Sequence, residues 1–71
     1  MKLSERIQEQ RKEAGKTQQE MADFLGVKIR VYQYYESGGR KPTLDNLIVL
    51  ADYFDVSLDY LVGRSDHRER M

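Results

Sequence analysis

Stop signals cut this chain into short pieces, and each piece carries helical spacing. Gly15, Gly26, Ser37-Gly38-Gly39 and Gly63 follow apolar-periodic stretches, where a residue that tolerates positive φ commonly ends a helix. Before the first stop, Leu3, Ile7, Arg11 and Ala14 recur at helical intervals, which predicts a helix over about 3–14. Thr17-Gln18-Gln19-Glu20 is a capping box: the Thr17 hydroxyl suits the backbone N–H of Glu20, and the Glu20 side chain reaches back. Met21, Ala22 and Leu25 continue on one face, so the second helix is short, about 18–25. A third spans about 28–36, with Val27, Tyr32 and Tyr35 turned inward. Pro42-Thr43 restarts the chain with Thr43 as N-cap, and Leu44, Leu47, Leu50, Ala51 and Phe54 form the stripe of a fourth helix. Ser57 caps a last turn or two holding Leu58, Leu61 and Val62. No segment alternates with period two. The expected fold class is all-α, a compact five-helix domain over residues 1–63 with a polar tail, 64–71, that has nothing to bury.

A chain of 71 residues has room for one small domain, and such domains depend on good helix packing or on added staples. With no cysteine there is no disulfide framework or thiolate metal site, and His67 is the only histidine. No cofactor and no metal are therefore implied. No apolar run approaches bilayer length, and residues 1–16 mix charge with apolar positions where a secretory signal would be continuously apolar. A soluble, cytoplasmic protein with no membrane partner is expected. Few residues follow Gly63, so no appended effector domain is expected there and control would fall to abundance, a partner protein or proteolysis. An enzyme is not expected either, because no nucleophile–base pair, metal-ligand spacing or phosphate-cradling glycine motif is present.

The formal net charge is zero, which alone would argue against a nucleic-acid binder. Its distribution reverses that reading. Residues 28–43 carry Lys28, Arg30, Arg40 and Lys41 against only Glu36, whereas residues 44–63 carry Asp45, Asp52, Asp55 and Asp59 with no base. One end of the domain is basic and the other acidic.

Function concentrates at the join of the second and third helices. Two short helices separated only by a glycine turn must cross steeply, which leaves the second projecting from the domain in a form that fits a major groove. Tyr32 and Tyr35 take its core side, leaving Lys28, Ile29, Arg30, Gln33 and Tyr34 on or near the outer face. Lys28 and Arg30 sit at its N-terminal end, where cations oppose the helix dipole at a cost of a few tenths of a kcal/mol. A helix made only for stability would carry acids there.

The run Thr17-Gln18-Gln19-Glu20-Met21-Ala22-Asp23-Phe24-Leu25-Gly26-Val27, then Tyr35-Glu36, Gly38, Arg40-Lys41-Pro42, and finally Leu50 through Leu61, resembles the lambda-type repressor and Cro (XRE) family of helix-turn-helix domains. The resemblance spans nearly residues 3–63. It implies a five-helix, lambda-repressor-like domain that binds double-stranded DNA through its third helix, usually as a dimer, as a transcriptional regulator and most simply a repressor. Carried onto matching positions, Lys28, Ile29, Arg30, Gln33 and Tyr34 would face base edges or flanking backbone. Gln18, Arg40 and Lys41 would contact phosphate, and Arg11 and Glu36 match the family's buried ion pair. The sequence departs from the pattern at Lys28, where a small hydroxyl cap is usual, and at Ile29, where an apolar side chain can touch a thymine methyl but cannot hydrogen-bond.

One helix reads only a few base pairs, so a weak homodimer tightened by DNA on a near-palindromic site is expected. Tyr53, Leu58, Tyr60 and Val62 are the candidate dimer surface, being more apolar side chains than one short helix can bury. Arg30 and Gln33 would supply the main base hydrogen bonds, Arg suiting guanine and Gln adenine. The rival reading is a protein-interaction module or antitoxin-type partner on the same scaffold, in which the tyrosines of the third helix grip a regulatory protein.

Overall fold

A computed structural model of the protein describes residues 2–69; residues 1, 70 and 71, the ends of the expected domain and tail, lie outside the described residues. Five helices follow in order: α1 Leu3–Glu13, α2 Gln18–Leu25, α3 Ile29–Ser37, α4 Leu44–Phe54 and α5 Leu58–Leu61. There is no strand among the described residues, and none of their helices is long and apolar enough to cross a membrane.

The caps explain the boundaries. Thr17 Oγ1 accepts from Glu20 N at 3.0 Å while Thr17 N donates to the Glu20 carboxylate at 2.9 Å, closing the box that starts α2. That backbone bond from Thr17 also holds the Glu20 carboxyl below its ordinary pKa. Thr43 and Ser57 cap α4 and α5 in the same way, accepting from Asn46 N and Tyr60 N. Asp55 ends α4 in the left-handed region, at φ 56°, where aspartate is one of the few non-glycine residues tolerated.

All five helices feed one core. Ile7 of α1, Met21 and Ala22 of α2, Tyr32 and Tyr35 of α3, Leu50 and Ala51 of α4, Val56, and Tyr60 and Leu61 of α5 are buried together. α3 packs against both α1 and α2, and α5 bridges α4 and α1. This leaves α3 held from behind with its outer face open.

Three expectations need correction. Leu44 does not join the inward stripe of α4: it is 63 % exposed, because burial on that helix is concentrated at Leu50 and Ala51 and the first position lies beyond it. Tyr60 does not belong to a surface: it is 7 % exposed and lies under the Arg6 guanidinium, 3.7 Å from ring centroid to Cζ. Nor does the segment after Gly63 stand away from the domain. Ser57 N donates to the Arg68 carbonyl at 2.9 Å and Ser57 Oγ to that of His67, while Arg68 Nη2 reaches Gln10 Oε1 at 3.0 Å and the Glu13 carboxylate at 3.2 Å. Asp66 lies 3.6 Å from the buried Arg6. Ion pairs and backbone bonds, not apolar burial, anchor this strap across α1 and the start of α5.

Candidate nucleic-acid interface

Gly26 makes the turn between α2 and α3, with φ +70° and its N–H bonded back to the end of α2. Val27 N reaches the Ala22 carbonyl at 3.0 Å, and the half-buried Val27 side chain packs on the core. Only Lys28 then precedes α3, so the two helices are joined by a three-residue hinge. Lys28 has extended backbone and gives α3 no side-chain cap; the hydroxyl the family usually places there has no substitute. The start of α3 thus presents N–H groups without a capping acceptor, and no acid stands in its first turn.

The outer face of α3 carries the residues that the sequence placed there. Lys28, Ile29, Arg30, Gln33 and Tyr34 are all exposed, whereas Tyr32 and Tyr35 are buried on the opposite side and meet edge to face at 6.2 Å. The ring of Tyr34 lies along the following loop, where a Cβ on Gly39 would come within 3.2 Å of it. Arg40 N donates to the Tyr34 carbonyl at 3.3 Å, so the loop carrying exposed Arg40 and Lys41 is tied to the end of the same helix.

Behind this face lies a polar relay. Arg11 Nε donates to Glu36 Oε2 at 2.6 Å and Nη2 to Oε1 at 3.1 Å, a two-pronged pair whose side chains are 12 % and 3 % exposed. Arg11 Nη1 also donates to the Lys16 carbonyl at 2.8 Å. Burial alone would raise the Glu36 pKa, but the hydrogen bonds from Arg11 and Gln18 help to outweigh it and hold the carboxyl below the usual glutamate range. The Arg11 guanidinium is correspondingly raised by its bond to Glu36. Burial, with the Glu36 charge beside it, pushes the Tyr32 phenol far above its ordinary value. Gln18 Nε2 donates to Glu36 Oε1 at 3.1 Å, and Gln33 Nε2 to Gln18 Oε1 at 3.3 Å. Gln18 and Gln33, assigned to phosphate and base, are therefore joined to each other and to the ion pair.

The dimer candidates do not form one set. Tyr53 is exposed and its ring meets that of Phe24 at 4.6 Å, tilted by 47°, Leu58 is exposed, Val62 is half-buried, and Tyr60 is core. Phe24, Ile48 and Val49, which the sequence reading did not single out, are exposed apolar side chains as well. Periodicity marks the most buried line of a helix but does not say how wide the covered face is.

A helix-turn-helix family model matches residues 7–61. The chain is 47 % identical over 64 residues to the cryptic phage CTXphi transcriptional repressor RstR of Vibrio cholerae, covering 90 % of this chain and 57 % of that protein. It is 42 % identical over 65 residues to the HTH-type transcriptional regulator AnsR of Bacillus subtilis, covering 92 % and 56 %. The chain thus spans little more than half the length of these relatives. Among solved structures, a transcriptional regulator from Listeria innocua superposes with a TM-score of 0.84 at 40 % identity, covering 87 % of this chain and 58 % of that one. The P22 c2 repressor, crystallised with a synthetic operator, superposes with a TM-score of 0.81 at 26 % identity, covering 92 % and 98 %. With its glycine hinge, its projecting third helix and a family match across most of its length, the chain belongs to the XRE-type, lambda-repressor-like helix-turn-helix family.

Proposed function

We propose that this protein is a sequence-specific DNA-binding transcriptional regulator of the repressor kind, with residues 1–63 as the binding domain, 64–71 as a polar tail, and α3 entering the major groove. The observation that carries this is the start of α3. An uncapped helix N-terminus flanked by Lys28 and Arg30 is unfavourable for an isolated domain and becomes favourable when a phosphate sits over it. Arg30, Ile29, Lys28 and Tyr34 then face base edges, with Arg30 suited to guanine and Ile29 to a thymine methyl. Gln33, which donates one amide hydrogen to Gln18, keeps its other N–H and its Oε1 for a base. Gln18, Arg40 and Lys41 contact phosphate and set register without reading sequence. A weak homodimer on a near-palindromic operator supplies the second half-site, with Tyr53, Leu58 and Val62 as the remaining candidates for its interface. The work is binding, not catalysis, and its setting is the cytoplasm.

The test is selection of bound duplexes from a random library, followed by titration of the winning site against salt. An enriched, near-palindromic motif whose affinity falls steeply with salt supports the reading. No enrichment, or a partner protein captured with little salt response, favours the interaction-module alternative and overturns it.

A further inference from the structure

The polar relay behind α3 has a direction. Glu36, whose charge the two-pronged bond from Arg11 holds in place, offers acceptors only. Gln18 must therefore turn its amide nitrogen toward that carboxylate, and Nε2 donates to Glu36 Oε1 at 3.1 Å. An amide that presents nitrogen on one side presents oxygen on the other. Gln18 Oε1 is left as an acceptor toward α3, and Gln33 meets it with Nε2 at 3.3 Å. Each step dictates the next, so a buried charge decides which way round an exposed amide on the recognition helix is held.

That orientation has consequences for readout. Among Lys28, Ile29, Arg30, Gln33 and Tyr34 only Gln33 carries an amide, and an amide offers a different order of donor and acceptor according to how it is turned. With one N–H committed to Gln18, Gln33 retains its second N–H and Oε1, the pair that fits N7 and the N6 amino group of adenine. Glutamine also has much rotamer freedom to lose on binding, and a side chain tethered beforehand loses less of it when the base arrives. The tether does not exhaust Gln18, whose second Nε2 hydrogen remains for a phosphate.

We propose that Gln18 is a positioning residue for base readout: it passes the polarity of the Arg11–Glu36 pair to Gln33 and so fixes the Gln33 amide for adenine. The inference rests on the DNA-binding reading above and deepens it. A phosphate contact by Gln18 is blind to sequence, whereas this role is felt only in specificity. It also gives the buried ion pair a part in base choice as well as in stability.

Selection from a random duplex library is run on the full chain, on Gln18→Met, Gln18→Lys and Gln33→Met, and on the double variant Gln18→Met with Gln33→Met; the preferences found are then measured by fluorescence anisotropy. Gln33→Met should remove an adenine preference of about tenfold at one symmetric pair of positions, the discrimination of one bidentate amide. Gln18→Met should relax the same positions about fivefold, as the loss of one neutral hydrogen bond would, and in the Gln33→Met background it should change no preference, because its effect passes through Gln33. Gln18→Lys still donates to Glu36 and still meets a phosphate but offers Gln33 no acceptor. It should relax the adenine positions while binding a random-sequence duplex at least as tightly as wild type, which neither a lost phosphate contact nor lost stability would produce, and it decides the matter should Gln18→Met fail to fold. Adenine preference kept in both Gln18 variants, or a Gln18→Met shift of equal size with and without Gln33, overturns the positioning role while leaving DNA binding by α3 standing. A Gln33→Met motif that loses no preference, or loses one for a base other than adenine, overturns the assignment of Gln33; a wild-type protein that selects no motif overturns this inference and the DNA-binding reading together.

Discussion

Replacing Glu36 with alanine should unfold this domain at a much lower temperature. The carboxylate receives two hydrogen bonds from Arg11 and one from Gln18, and its side chain is 3 % exposed. Without it, Arg11 keeps a single bond, to the Lys16 carbonyl, and a mostly buried guanidinium faces no countercharge. Losing one partner of a buried pair costs about 3–5 kcal/mol. Because Arg11 retains that carbonyl and some solvent access, the lower end applies, about 3 kcal/mol. A chain of this length has a total stability of roughly 4–11 kcal/mol, so the loss is a large fraction of it. At roughly 4–8 °C per kcal/mol for domains of this size, the melting temperature should fall by roughly 12–24 °C. The assay is thermal melting followed by circular dichroism at 222 nm, on wild type, Glu36→Ala, and the double variant Arg11→Met with Glu36→Leu. The double variant should recover most of the loss, since an apolar pair of similar volume commonly replaces a buried ion pair without penalty. A fall of less than about 3 °C in Glu36→Ala, or a double variant no better than the single one, would refute the reasoning.

Four further outcomes follow from the same geometry. The Glu36 carboxyl is held below the ordinary glutamate value, so its contribution is complete above about pH 4.3 and disappears as pH falls through the lowered folded value; Glu36→Gln should flatten that part of the acid denaturation curve. Thr17→Ala removes the hydroxyl that caps α2 and should cost about 1 kcal/mol, read as a lower urea midpoint with an unchanged slope. Lys41→Ala should weaken binding to all duplexes alike and lower the salt slope by about one, whereas a change in selectivity would reassign it to base reading. Arg30→Ala should leave the melting curve intact and relax preference at one symmetric pair of positions in a repeated duplex selection; an unrelaxed motif removes Arg30 from base readout.

What the residues disclosed in advance was mostly local. The Thr17 box, the Thr43 and Ser57 caps and the glycine at 26 act within four residues of themselves, so spacing alone locates the helix ends they set. The outer face of α3 was legible for the same reason, because Tyr32 and Tyr35 fix which side turns inward and leave Arg30, Gln33 and Tyr34 on the other. The pairing of Arg11 with Glu36 joins residues 25 apart and came from the family resemblance, since nothing near either residue announces the other. Arg6 escaped notice because a charged residue on a buried helix face breaks the apolar pattern that marks such a face; it is 4 % exposed and lies over Tyr60. That contact also explains why Tyr60, read as surplus surface, is core. The link between Gln18 and Gln33 was hidden in another way: each looks like a free reader until their shared hydrogen bond is seen.

The strap formed by residues 66–68 gives this small domain a native-state gauge. The N–H of an N-cap residue normally faces water, but that of Ser57 is committed to the Arg68 carbonyl across the strap. The neighbouring Tyr60 N–H is held instead by the Ser57 hydroxyl. In hydrogen–deuterium exchange, protection at Ser57 would therefore track detachment of residues 66–68, while protection at core positions such as Leu61 would track opening of the whole domain. Two free energies, one sub-global and one global, are thus readable from amides four residues apart in a protein of 71 residues.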